Sequence, residues 1–332
     1  MNKGKGAVSE ANVPGEGSRR GTSTGIASGR ETLVSLRGGT PHTPVLLQEV
    51  IQYLNVASGK QFIDATLDGA GHAREILARY PDVRLMGIEF DPDEVRELRH
   101  TDPTLVEKII LVNESFAHIE RVAGEHSIQP DGIFFDLGVS SWHYESSGRG
   151  FTFSKDEPLD MRFNPEKQGT NAATIVHTWD EKDLERILTE FGEERYAAQI
   201  AARITHVRRE TPIVSTVQLI QVIMDAVPEW YKHRKIHPAT KTFQALRVAV
   251  NDELETIRSG LQGAIRILKP GGRLVVISFH GLEDKTVRQV FKESVERGEM
   301  KWVTKDTIKP AWEEVQRNPR SRSAKMKIAE KL

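Results

Sequence analysis

Five short apolar runs, QFIDAT (61–66), RLMGIEF (84–90), KIILV (108–112), DGIFFD (131–136) and GGRLVVISF (271–279), alternate with segments whose apolar residues recur at helical spacing. Parallel strands need a crossover between them, so this alternation predicts an α/β fold built on a doubly wound parallel sheet. Order is expected to begin at HTPVLLQEVIQYL, where Val45, Leu46, Val50, Ile51 and Leu54 share one helical face. A helix is expected from about His72 to Tyr80. Asp91 and Pro92 suit the N-cap and first position of another.

More than 130 residues separate the fourth run from the fifth. Much of that interval is helical in pattern, as in DEKDLERILTEFG, ERYAAQIAARITHVRR and STVQLIQVIMDAV. The expected organisation is therefore a sheet domain over residues 40–149 and 239–332, with an inserted helical subdomain over 150–238. Residues 1–39 are rich in Gly, Ser, Thr and Arg without apolar periodicity, and read as a disordered tail. Glu10, Glu16 and Glu31 interrupt any transit-peptide character. No apolar run is long enough to cross a membrane. The absence of cysteine excludes disulfides and thiolate chemistry and fits a reducing, cytoplasmic setting. A net charge of −1 announces no polyanion partner, yet the charge is uneven. The stretch from Tyr231 to Arg247 carries five Lys/Arg and no acid, and the stretch from Gln316 to Leu332 carries six against one Glu. Such local patches suit phosphate contact, as they suit a solvated face.

The first run leads into DATLDGAGHAREIL, a strand, a Gly-rich turn and a helix start. Gly69 and Gly71 allow a tight turn and close backbone approach to a nucleotide. A dinucleotide fingerprint would place a third glycine where Arg74 stands, which argues against NAD. Glu89 closes the second run 18 residues after Gly71, where a carboxylate can accept ribose hydroxyls. A ribose acid without a pyrophosphate turn suits S-adenosylmethionine. Phe116, just past the third run, suits either adenine packing or the core.

Ligands of open α/β sheets lie beyond the carboxyl ends of the strands, so Asp136 to His143 should face the cofactor. Methyl transfer to an exocyclic amine needs an in-line lone pair, close partners and an exit for a proton. Asp136, with Ser140 and Ser141 in the loop behind it, is the candidate catalytic group, and the backbone carbonyls of Leu137 to Ser140 are further acceptors. Trp142, Tyr144, Phe151 and Phe153 could stack an extruded base, and Asp160 and Arg162 could read its polar edge. The same rings could equally form the hinge core of the insertion. His280, followed by Glu283 and Asp284, reads as a helix start in preference to a metal ligand.

These segments together carry a resemblance. HTPVLLQEV, DATLDGAGHA, FFDLGVSS, RGFTF with PLDMRF, HPATKTFQALRVAVNDEL, VISFHGLEDKTVRQVF and NPRSRSAKMKIAEKL resemble, in order, the bacterial 16S ribosomal RNA cytosine-N4 methyltransferase family, over about residues 42–332. The resemblance implies a class I, Rossmann-like methyltransferase fold with an inserted helical domain. It implies S-adenosylmethionine as donor and a cytidine in the decoding region of the small ribosomal subunit as acceptor. It carries cofactor contacts over to Ala70, Gly71, His72, Glu89, Phe116, Asp136 and His143. Two positions depart from the family pattern: Glu89 stands where Asp is common, and Trp142-His143 where Pro-Gln is common. A homodimer is compatible with the sequence. Two other readings remain at this point, an NAD-dependent oxidoreductase and a non-catalytic ribosome-assembly factor on a methyltransferase fold.

Overall fold

Runs of Val, Ile, Leu and Phe buried on both faces can only be satisfied inside a sheet with helices on each side. The computed structural model describes residues 44–304 and 306–332 and has that architecture. The tail expected over 1–39 lies outside the described residues. The strands are β1 (Gln61–Asp64), β2 (Arg84–Glu89), β3 (Ile110–Asn113), β4 (Gly132–Asp136), β5 (Arg273–Ser278), β6 (Met300–Trp302) and β7 (Lys325–Lys331). They form one sheet in the order β3-β2-β1-β4-β5-β7-β6. The first five pair in parallel, and β7 runs antiparallel between β5 and β6. This is the Rossmann-like methyltransferase fold that the sequence led us to expect.

Period-two alternation sorts the strand residues into two cores. Phe62, Phe134, Val275 and Ile277 pack on one face with Val50, Leu54 and Ile76 from the flanking helices. Ile63, Phe135, Val276 and Leu274 pack on the other with Ile257, Leu261 and Phe291. The helix Leu47–Leu54 buries Val50, Ile51 and Leu54 as its spacing predicts, and Val45 and Leu46 just before it are buried too. Asp91 caps the helix Pro92–Thr101 by accepting from the Asp93 N–H, with Pro92 at the first position.

β6 and β7 were not anticipated. Lys325 to Lys331 looked like part of a basic patch because Lys alternates with apolar residues. In the structure Lys327 is buried and its ammonium is paired with Asp284, so this charge faces an internal partner and not a phosphate. Met326 and Ile328 fill the core beside it.

A third core serves the long excursion between β4 and β5. It draws on Phe151, Leu159, Leu184, Ile187, Ile200, Leu219 and Ile223, and also on Phe243, Leu246 and Val250 from the helix Ala239–Asn251. That helix thus packs with the excursion. The excursion opens at Gly150, whose φ of +76° is in the region glycine favours. A Cβ there would lie 2.4 Å from the Pro158 carbonyl oxygen.

Candidate active site

The carboxyl ends of β1, β2 and β4 open onto a cleft enclosing about 730 Å³ of non-atom space, its solvent-open mouth included. The turn after β1 builds one wall. Its left-handed residues are Asp68 (φ 46°) and Ala70 (φ 58°), not Gly69 or Gly71, and Gly71 is already the first residue of the helix Gly71–Arg79. Backbone strain of this kind costs on the order of 1 kcal/mol per residue and persists only where its surroundings hold it. Here the Asp68 N–H donates to Glu89 Oε2 at 2.9 Å and the Leu67 N–H to the Ile88 carbonyl at 2.9 Å.

Glu89 is fixed from both sides, since Oε1 also accepts the Asp91 N–H at 2.7 Å. Each oxygen keeps a further lone pair for a hydroxyl. Burial, with the nearby Glu94 charge, pushes its carboxyl up to about 8. Burial does the same to Asp64, which rises to about 8. Phe116 lines the cleft, edge-on to Phe135 at 5.4 Å, so it serves the core and the cleft at once.

Asp136 ends β4 at the cleft wall, its N–H donating to Thr66 Oγ1 at 2.6 Å. Its Oδ1 has no hydrogen-bond partner among the described residues. Burial, then the charges of Asp64 and Glu283, push its carboxyl well above the ordinary range. His72 stands behind it, Nδ1 3.9 Å from Asp136 Oδ2 and Nε2 3.0 Å from the Val45 carbonyl. Ala70, Gly71 and His72 shape the turn but do not line the cleft.

His143 does line it, and the Trp142-His143 departure acquires a physical role. Its Nε2 lies 3.0 Å from Asp91 Oδ2 and its Nδ1 3.0 Å from Glu94 Oε1. Burial opposes its charge, but these bonds, Asp91 first and Glu94 next, raise it to about 9. Arg149 pairs with the same Asp91 carboxylate. The Asp91, Glu94 and His143 ligand atoms are close enough to bracket a metal ion. In this structure the three side chains bond one another and the Arg149 guanidinium occupies the Asp91 carboxylate. The cluster is therefore an internal ion network.

Several expected site residues are engaged elsewhere. Ser140 caps the helix Ser141–Glu145, and its hydroxyl bonds Glu94 at 2.5 Å and His143 Nδ1 at 2.7 Å. The Ser141 hydroxyl is held by Arg320. Neither serine lines the cleft, so Asp136 alone of the three candidate catalytic groups does. Asp160 and Arg162 bond each other through two contacts of 2.7 Å, and Arg162 Nη1 donates to the Pro165 and Gln168 carbonyls. They are partly exposed and do not line the cleft. Phe151 is buried, stacked on Phe163 at 5.5 Å, and Phe153 stacks on His237 at 4.8 Å. Trp142 carries the Arg149 guanidinium 5.2 Å over its ring. None of these three rings reaches the cleft wall.

The far wall contains residues the sequence reading missed: Phe163, Asn251, Glu253 and Glu283. Arg247 grips Glu253 at 2.7 and 2.9 Å. His280 caps the helix Gly281–Glu296 in a capping box with Glu283, as its position before Glu283 and Asp284 suggested. Its Nε2 also lies 2.9 Å from Glu283 Oε1. Burial works against the Glu283 charge, but His280 and then Arg247 hold its carboxyl below the ordinary range. Five acids thus line the cleft, Asp68, Glu89, Asp136, Glu253 and Glu283, with no Lys or Arg among the lining residues. The arrangement suits a ligand with a diol and offers a pyrophosphate no Lys or Arg.

The model of the MraW methylase family matches residues 39–332. Ribosomal RNA small subunit methyltransferase H of Carboxydothermus hydrogenoformans is 41% identical over 307 residues, covering 88% of this chain and 98% of that protein. The protein of the same name from Geotalea daltonii is 43% identical over 308 residues, covering 88% and 98%. Among solved structures, TrmN from Thermus thermophilus is 9% identical with a TM-score of 0.41, covering 86% of this chain and 48% of that one.

Proposed function

The chain belongs to the MraW methylase family, and from that premise we propose that it transfers a methyl group from S-adenosylmethionine to the N4 amine of one cytidine in the decoding region of 16S ribosomal RNA. The observation that carries the reading is the lining of the cleft: Glu89 keeps a spare lone pair on each oxygen for a ribose diol, Asp136 Oδ1 stands unpartnered among the described residues at the wall, and no Lys or Arg lines the space. The same feature argues against an NAD-dependent oxidoreductase, whose pyrophosphate would find no Lys or Arg among the lining residues. The donor supplies an electrophilic methyl on positive sulfur.

The residues divide the work as follows. Glu89 accepts the ribose hydroxyls on the lone pairs left by the Asp68 and Asp91 amides. Phe116 and Ile88 flank the adenine. Asp136 Oδ1 and the Leu137 carbonyl accept the N–H bonds of the acceptor amine and orient its lone pair. Glu283, whose carboxyl His280 and Arg247 hold below the ordinary range against burial, takes the proton that the methylated amine releases. The excursion over about 150–238, with the helix Ala239–Asn251 packed on it, presents the RNA. The small ribosomal subunit, the cytoplasm and a homodimeric state are parts of the same reading.

The test is incubation of purified protein with methyl-labelled S-adenosylmethionine and either ribosomal RNA or small subunits from cells lacking the enzyme, followed by mass-spectrometric mapping. Label at a single cytidine N4 is expected. Tight subunit binding without turnover would instead identify a non-catalytic assembly factor.

A further inference from the structure

The basic run singled out in the sequence has a face that the cleft does not use. Trp230 is 55% exposed and Ile236 57% exposed at the edge of the excursion. The Arg195 guanidinium lies 5.6 Å from the Trp230 ring centre and 5.8 Å from that of Tyr196. Arg234 lies 5.0 Å over Tyr231, which is anchored by two 3.0 Å bonds from its hydroxyl to Glu194. Glu229 neutralises Lys232 and His233, each at 3.0 Å. Arg195, Arg234 and Lys235, all exposed, form no ion pair with an acid among the described residues. From Trp230 to Asn251 the chain contains no acid at all.

Single exposed apolar residues are ordinary, whereas apolar residues grouped in a patch rimmed by polar ones mark interaction sites. Flat cations laid on rings, with an indole left open and the neighbouring acids Glu194 and Glu229 engaged by Tyr231, Lys232 and His233, suit a strand of phosphates and bases. The patch also has a fixed relation to the cleft. Phe153 stacks on His237 at 4.8 Å, next to the start of the helix Ala239–Asn251. Thirteen residues at 1.5 Å each carry that helix about 20 Å, and its far end places Asn251 in the cleft wall.

We infer that Arg195, Trp230, Arg234 and Lys235 form a docking track for single-stranded RNA adjoining the target nucleotide. The track rests on the RNA substrate argued above. Trp230 offers a stacking face to one base, while the arginines and Lys235 contact the backbone.

The track is tested by titrating the full chain with a naked RNA fragment of the decoding region at several salt concentrations, with cofactor titration alongside. Trp230→Ala should weaken RNA binding by about 5- to 100-fold. Arg195→Ala combined with Arg234→Ala should flatten the salt slope by about 1.4, or about 0.7 per lost contact. Cofactor affinity should not change in either variant, which shows that the fold and the cleft are intact. Unchanged RNA affinity and salt slope in both variants would overturn the track while leaving the proposed reaction standing. A defect confined to assembled subunits, with naked RNA bound normally, would mark the patch as a protein-docking face and overturn the RNA assignment. A wild-type chain that methylates nothing but still binds RNA through these residues would remove the reaction and keep the track.

Discussion

Replacing Glu89 by Gln tests the donor site through charge. The wild-type carboxyl, raised to about 8, is charged in roughly one molecule in ten at pH 7, so ionising it for binding costs about 1.4 kcal/mol; at pH 9 that cost falls below ~0.1 kcal/mol. Only the ionised form offers four lone pairs to two amides and two hydroxyls, so donor binding should release a proton. Donor affinity should therefore strengthen about tenfold between pH 7 and pH 9 through this group alone. Glu89→Gln has one acceptor oxygen, so its NH₂ must face the Asp68 or the Asp91 N–H. Hydrogen bonds to a charged group are worth about 1.5–3 kcal/mol each, so weakening both hydroxyl contacts should cost about 2–4 kcal/mol, or roughly 30- to 1000-fold in Kd at pH 9. The fold responds with the opposite sign. A carboxyl raised on folding contributes stability that is complete below about pH 4.5 and is lost as pH rises through about 8. Calorimetric titration of wild type and variant from pH 6.5 to 9, with thermal melts at each pH, measures both effects. Parallel affinity profiles, or wild-type affinity that weakens as pH rises, would refute this account of Glu89.

Asp136→Ala should lower the single-turnover rate by about 10²-fold with donor saturating, because an oriented acceptor is lost, while melting changes little; an unchanged rate removes Asp136 from the reaction. His143→Gln should destabilise the chain by about 3 kcal/mol at pH 6. The raised imidazole contributes stability that is complete below about pH 6.5 and lost through about 9, so denaturant melts at pH 6 and 9.5 should show the gap between the two proteins narrowing. Gly150→Ala combines an unfavourable φ with a 2.4 Å approach to the Pro158 oxygen, and should cost about 2 kcal/mol or more in the same melts.

Features of local origin were legible in the sequence. The first five strands, the Asp91-Pro92 cap and the His280 helix start follow from residues within a few positions of each other. So does the placing of Glu89 and Asp136 at strand ends. Pairings across long separations were not legible. Asp284 turns Lys327 from a surface charge into a core residue across 43 positions. The Asp160 and Arg162 side chains sit two residues apart and looked available, yet the local turn closes them on each other. Glu253 and Glu283 belong to segments quoted for their resemblance, but only folding brings them opposite Glu89. Of the left-handed positions, Asp68 carries a residue that tolerates the region and Ala70 one that does not advertise it, whereas the glycines beside them drew the attention.

Arg149 joins the helical excursion to the donor pocket at one point. Its guanidinium takes the Arg162 and Phe163 carbonyls at 2.9 Å and the Asp91 carboxylate, while the Asp91 amide steadies Glu89. Asn164 adds a 2.8 Å bond to the Phe90 carbonyl in the same corner. In the proposed function, a shift in the excursion that presents the RNA is therefore felt one peptide away from the carboxylate assigned to the ribose. The two ligands become thermodynamic partners: whatever factor the polymer adds to the grip on the methyl donor, the donor returns to the polymer.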